Sequence, residues 1–165
     1  MNKRIILLNS PSSSGKSTLA SNLQALIKDK NNEEYAIISI DDFLKMSTKE
    51  VIYEEDVFDI SSKLCDKSID LLRLNQGIII DHVITSERIY KHLIESLKLY
   101  GIYLVHVTCP LLELKRREEE RRNRCLGSAE ASYEYLFPKE GYDLTVDTFV
   151  SSAKECSLQI LEVMM

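Results

Sequence analysis

Gly15-Lys16-Ser17-Thr18 closes a small polar loop, Ser10-Pro11-Ser12-Ser13-Ser14, set between an apolar run and the start of a helical pattern. A glycine, a lysine and a hydroxyl in that order are the parts of a phosphate cradle, G-x-x-x-x-G-K-[ST], when a strand precedes them and a helix follows. Backbone N–H groups within residues 10–18, all but Pro11 carrying one, and the positive end of the helix dipole would face the phosphates of a nucleotide. Gly15 lets the backbone come close, Lys16 would reach the β- and γ-phosphates, and the Ser17 hydroxyl would hold Mg²⁺. The opening glycine of the pattern is absent, and Ser10 stands in its place. A residue before proline is held extended, so Ser10 before Pro11 can continue the strand without a glycine.

Phosphoryl transfer to an alcohol also needs a carboxylate beside the hydroxyl and an acid near the metal. Three acids close apolar runs: Asp41 and Asp42 after "AIISI", and Asp81 after "GIII". Asp41 is the expected base. Asp42 is a weaker candidate for the acceptor side, and both also suit the first turn of a short helix through "DDFLKM". Asp81 ends a Walker-B-like run and is expected to serve Mg²⁺ or the substrate. His82 follows it as a candidate acceptor contact. In the charged run "ELKRREEERRNRCLG", Arg117, Arg121 and Arg124 fall at i, i+4 and i+7 on one helical face. Such a face suits a lid that closes over a triphosphate and neutralises charge on the transferred group. Glu118 with Arg122 and Glu120 with Arg124 are spaced as helix-supporting ion pairs, and Arg116 and Arg122 are expected to face solvent.

The elements that must position these groups alternate along the chain. Strands are expected at 4–9, 35–40, 77–81, 103–107 and 144–148, each a continuous apolar or β-branched run of the kind found in a parallel sheet covered on both faces. Between them, Leu19, Leu23, Leu26 and Ile27 share a helical face. Ile60, Leu64, Leu71 and Leu72 mark the next helix, with Asp59 as its expected N-cap and Gly77 as its stop. Ile89, Leu93 and Leu97 mark a third, closed by Gly101, and Phe149, Ala153, Cys156, Ile160 and Val163 mark the last. This β-α repetition predicts one right-handed, doubly wound α/β domain over 1–165. Residues 125–142 read as a mobile loop, part of a lid spanning about 115–142.

Composition narrows the function classes. The formal net charge is -5, which gives no general attraction to nucleic acid or to acidic lipid. A nucleic-acid 5′-end kinase would want a basic groove, whereas this chain is acidic and its 8 tyrosines are scattered. Cys65, Cys109, Cys125 and Cys156 lie far apart, with no metal-ligand spacing to the three histidines. Free, mostly buried thiols in a reducing compartment are the expectation. The run "IILL" is too short for a signal peptide and no membrane span is visible, so a soluble cytoplasmic protein is expected. A homo-oligomer is compatible with the sequence.

Taken together, the residues resemble the chloramphenicol phosphotransferase-like family of P-loop kinases. "IILLNSPSSSGKST" is similar to that family's first strand and phosphate loop, and "SIDDFL" to its second strand end, which places the catalytic aspartate at Asp41. "GIIIDH" resembles its third strand, although His82 stands where the family has an aspartate. "RREEERRNRCLG" resembles the R-E-x-x-R-x-x-R-x-x-G lid, at Arg117, Glu118, Arg121, Arg124 and Gly127. "GYDLTVDT" resembles a Y-D-x-x-V-D-T segment, at Tyr142, Asp143, Val146, Asp147 and Thr148, and Asp147–Phe149 would lie near the adenine.

The resemblance implies a three-layer α/β/α P-loop NTPase of the nucleotide- and shikimate-kinase type, with a five-stranded parallel sheet in the order 2-3-1-4-5. It implies ATP and Mg²⁺ as cofactors and O-phosphorylation of a small-molecule hydroxyl. Residues 44–58 should form a wall of the acceptor pocket. Their Lys45, Lys49, Glu54, Glu55 and Asp56 point to a more polar acceptor than an aromatic antibiotic. A nucleoside, nucleotide or sugar kinase would use the same loop and lid, and a non-catalytic ATP-binding sensor would use the loop alone.

Overall fold

The computed structural model describes residues 4–47, 53–121 and 126–164. Five parallel strands, β1 (Ile5–Asn9), β2 (Tyr35–Ser39), β3 (Gly77–His82), β4 (Ile102–Thr108) and β5 (Leu144–Asp147), form one sheet in the order β2-β3-β1-β4-β5. Around it lie α1 (Lys16–Asn31), α2 (Ile40–Lys45), α3 (Glu54–Arg73), α4 (Glu87–Leu97), α5 (Leu111–Arg121), α6 (Ser128–Tyr135) and α7 (Ala153–Met164). A short 3-10 turn, Lys98–Tyr100, carries α4 into β4, and Gly101 (φ 73°) closes it as expected.

Alternate residues of each strand feed two cores. Ile5, Leu7, Ile78 and Ile80 pack with Leu64, Leu72, Leu93 and Leu97 of α3 and α4. Ile6, Leu8, Ile79 and Val105 pack with Leu19, Leu23 and Ile27 of α1 and with Cys156 and Ile160 of α7. The five expected strands and the parallel, doubly covered sheet are all present.

The differences have local causes. Helix α3 begins at Glu54 rather than after Asp59. Asp56 accepts the Tyr53 backbone N–H at 2.9 Å, and Glu54, Glu55 and Asp56 sit in the first turn, where the helix dipole favours negative charge. Gly77 does not stop that helix. Asn75 (φ 65°) turns the chain, with its N–H on the Leu72 carbonyl at 3.0 Å, and Gly77 opens β3 beneath the Tyr35 ring, where a Cβ would lie 2.5 Å from a ring carbon. Phe149 lies outside α7 and is exposed. The expected loop at 125–142 contains helix α6, whose sequence "SAEASYEY" has little apolar periodicity and buries only Ala129 and Ser132. Cys65, Cys109 and Cys156 are free and buried, while Cys125 lies outside the described residues. No helix among the described residues is long and apolar enough to cross a membrane.

Candidate active site

The parallel register brings the carboxyl ends of β1, β2 and β3 together, which is where ligands sit in open α/β sheets. Asp81 lies across from Leu8 on one side and Ser39 on the other, and His82 lies across from Asn9. The chain leaves β1 at Asn9 and enters α1 at Lys16, so the loop Ser10–Gly15 spans the end of the central strand. Gly15 has φ 83°, a left-handed backbone that glycine adopts without steric cost, which explains the glycine at this position. The first amides of α1 follow it directly and have no partners within the helix.

Charge is concentrated at the head of α1. The Lys16 ammonium, 3% exposed, lies 3.3 Å from Asp81 Oδ1 and 3.6 Å from Asp41 Oδ2. Asp81 is 1% exposed, and its Oδ2 accepts the Ser17 hydroxyl at 3.0 Å and the Ser39 hydroxyl at 3.4 Å. Asp41 is in the first turn of α2, so it is both a first-turn acid and a neighbour of Lys16. Asp42 is exposed in the same turn, and no contact joins it to Lys16 among the described residues. A lysine between two carboxylates, with a hydroxyl on one of them, is a set that can hold phosphate, metal and an alcohol proton together.

These residues fit the expected cofactors. A left-handed glycine, helix-terminal amides and Lys16 suit nucleotide phosphates. The Ser17–Asp81 pair suits Mg²⁺, which takes one or two protein oxygens and completes its shell with phosphate oxygens and water. No cluster of three or more His, Cys, Asp or Glu among the described residues could hold a metal by itself.

His82 is fully buried, and its Nε2 lies 3.1 Å from the Ser61 hydroxyl of α3. Burial pushes its imidazole down to about 4, so it is neutral at pH 7. Its side chain is thus enclosed, with Ser61 of α3 against the ring. Beside it, Asn9 is fully buried and saturated. Its Oδ1 accepts the Ile84 N–H at 2.9 Å, and its Nδ2 donates to the Phe137 carbonyl at 3.0 Å and the Tyr142 hydroxyl at 2.9 Å. Asn9 therefore straps the segment after α6 across the strand ends.

Ser10 takes the place of the first glycine without a left-handed backbone. Its hydroxyl accepts the Ser14 hydroxyl at 2.8 Å, and its N–H donates to the His82 carbonyl at 3.3 Å, so the loop is tied across its own neck. The Ser14 carbonyl accepts Thr148 Oγ1 at 2.6 Å and Arg117 Nη1 at 3.1 Å. Arg117 also donates to the Thr148 carbonyl at 3.1 Å, and its Nε donates to Glu113 at 3.1 Å. Of the three arginines expected to serve a lid, Arg117 is thus bonded to the loop backbone, Arg121 is exposed at the end of α5, and Arg124 lies outside the described residues with Arg122.

The acids of the lid are also assigned by the structure. Glu118 is buried and accepts N–H groups of Gly127 and Ala129, capping α6, while its expected partner Arg122 lies outside the described residues. Glu120 pairs with the exposed Arg116. In the expected acceptor wall, Glu54 and Glu55 pair with Arg88 and Asp56 caps α3, so these three acids serve the start of that helix; Lys49 lies outside the described residues.

The segment 142–148 is the part whose roles were least visible. Tyr142 stacks on His106, with ring centroids 4.6 Å apart, and burial pushes its hydroxyl up to about 12. Asp143 accepts the Leu104 N–H at 2.8 Å, Val146 enters the core, and Asp147 accepts the N–H groups of Phe149 and Val150. Thr148 reaches the Ser10–Gly15 loop itself. Ser132 of α6 does the same by accepting the Ser12 N–H at 2.9 Å, and no motif or spacing points to it in the sequence.

Solved structures share this fold. An APS kinase of Mycobacterium tuberculosis, solved with AMPPNP and APS, superposes with a TM-score of 0.80 at 13% identity, over 99% of this chain and 98% of that one. A gluconokinase of Sinorhizobium meliloti gives 0.73 at 17% identity, over 99% and 92%. The tunicamycin resistance protein of Deinococcus radiodurans gives 0.66 at 16% identity, over 96% and 93%. No curated protein matches the chain in sequence. The family described as chloramphenicol phosphotransferase-like protein matches residues 3–165, and the chain belongs to that family.

Proposed function

We propose that this protein is an ATP-dependent phosphotransferase that moves the γ-phosphate of ATP to a hydroxyl of a small molecule. The observation that carries the reading is Lys16 held 3.3 Å from Asp81 and 3.6 Å from Asp41 at the head of the loop-to-helix turn.

Each residue has a part. The loop amides and Lys16 bind and orient the phosphates. Ser17 and Asp81 would hold Mg²⁺, which when bound neutralises charge on the β- and γ-phosphate oxygens. Asp41 accepts the proton of the acceptor hydroxyl. The hydroxyl oxygen forms its bond to the γ-phosphorus as the bond from that phosphorus to the bridging oxygen of ADP breaks, leaving a phosphate monoester and ADP. Arg117 keeps the loop in place, and Arg121 and Arg124 serve the transferred group. Most of the rate comes from positioning and fixed charge, with a base contributing about 10²–10⁴-fold.

The acceptor is a small molecule rather than a nucleic acid, consistent with the acidic chain. The test is a mass-spectrometric screen of hydroxylated compounds, chloramphenicol, nucleosides and sugar acids among them, with ATP and Mg²⁺. A phosphorylated product made by the wild type and lost in Asp41→Asn supports the assignment. A product made equally well by the variant removes Asp41 as the base.

A further inference from the structure

Ser13 has φ 69°, in the left-handed region, although it is not a glycine, and its buried hydroxyl has no hydrogen-bond partner among the described residues. A side chain there disfavours the conformation by about ten-fold or more relative to the right-handed alternative. Such a residue persists only where its surroundings fix it. Here the residue on each side is held through its outer peptide group. On one side, Thr148 and Arg117 hold the Ser14 carbonyl. On the other, the Ser12 N–H donates to the hydroxyl of Ser132, at 7% exposure.

Ser132 is itself fixed. Its hydroxyl donates to the Ser128 carbonyl at 2.6 Å, one turn back in α6. The N-terminus of α6 is held in turn by Glu118 of α5, through Gly127 at 3.2 Å and Ala129 at 2.9 Å. The lid helix, α6 and the phosphate loop are therefore joined in series by named hydrogen bonds.

We infer that Ser132 is a positioning residue for nucleotide binding: by accepting the Ser12 N–H it keeps Ser13 left-handed, so that the loop amides converge on phosphate. The inference rests on the reading of residues 10–18 as a nucleotide-phosphate loop. The anchor does the work that a glycine at position 13 would do through its own freedom. Glycine there should make the anchor dispensable, which a merely structural role for Ser132 would not produce.

The test measures binding of a fluorescent ATP analogue carrying a methylanthraniloyl group, with Mg²⁺, to the full chain and four variants. Ser132→Ala should bind about ten-fold more weakly, the population ratio of the two backbone conformations. Ser132→Thr, which keeps an accepting hydroxyl, should bind within about two-fold of wild type. In a Ser13→Gly background, adding Ser132→Ala should weaken binding by no more than about three-fold, a non-additivity diagnostic of coupled neighbours. Wild-type affinity in Ser132→Ala, or a loss on adding Ser132→Ala to Ser13→Gly as large as in the wild type, would overturn the inference. If the wild type bound no nucleotide, the functional reading would fail. The φ-dependent amide coupling of Ser13 by NMR would then decide the positioning claim. Its change in Ser132→Ala supports the anchor, and an unchanged left-handed value refutes it.

Discussion

Removing Lys16 and Asp81 separately and together measures how the active-site charges hold one another. Lys16 is 3% exposed and has two carboxylates, at 3.3 Å and 3.6 Å. Among the described residues, Lys16→Met leaves the 1%-exposed Asp81 with the Ser17 and Ser39 hydroxyls. An orphaned buried charge costs about 3–5 kcal/mol, and the two hydroxyls put this case at the low end, about 3 kcal/mol. Asp81→Asn leaves Lys16 with Asp41, so its cost is smaller, about 2 kcal/mol. Asp41 is 22% exposed and farther away, so Asp41→Asn should cost about 1 kcal/mol or less. The double variant Lys16→Met/Asp81→Asn leaves no orphaned charge at this pair, and its cost should fall about 2 kcal/mol short of the sum of the singles. Thermal unfolding of the nucleotide-free protein at pH 7 and low salt reads these values, with about 2–4 °C per kcal/mol for a domain of this size. A double variant equal to the sum, or a larger loss in Asp41→Asn than in Asp81→Asn, would refute the arrangement.

Two more predictions probe the frame around the site. Thr148→Val removes a hydroxyl that donates to the Ser14 carbonyl at 2.6 Å but leaves Arg117 on that carbonyl, so nucleotide KM should rise by about three- to ten-fold with little change in kcat. An equal loss in kcat would place Thr148 in the chemical step instead. Tyr142 is an acid whose folded pKa is raised by burial, so unfolded chains ionise it near the ordinary value and folded ones only near 12. Stability should therefore fall as pH rises through about 10 to 12, and Tyr142→Phe should flatten that fall. Ultraviolet titration of phenolate, alongside unfolding at each pH, checks it, and an identical slope in Tyr142→Phe would contradict it.

The parts legible in the sequence were those written as local pattern. Continuous apolar runs gave the five strands, and the GKS run marked the strand-to-helix turn between β1 and α1, because both depend on residues close in sequence. Asp41 and Asp81 were readable because each closes such a run, and the register then brings both to Lys16. What stayed hidden depends on distant partners. Ser132 meets Ser12 across 120 residues, and Thr148 meets Ser14 across 134, so no spacing announces either. Helix α6 was missed because Glu118 caps it and two small buried residues seat it, where a strong apolar stripe would have signalled it. The capping role of Glu118 was hidden too, since its spacing to Arg122 is the same whichever way the carboxylate turns. His82 was placed at a strand end correctly, but only the packing of α3 shows that Ser61 closes over it.

The most direct test of the central claim follows the phosphate itself. Protein incubated with γ-labelled ATP, Mg²⁺ and a low-molecular-weight cell extract should move label into a small compound, with one ADP formed per label transferred. Lys16→Met should abolish the transfer. Bound nucleotide with no acceptor-dependent ADP, across extracts and purified acceptors alike, would contradict the kinase reading and favour a nucleotide sensor.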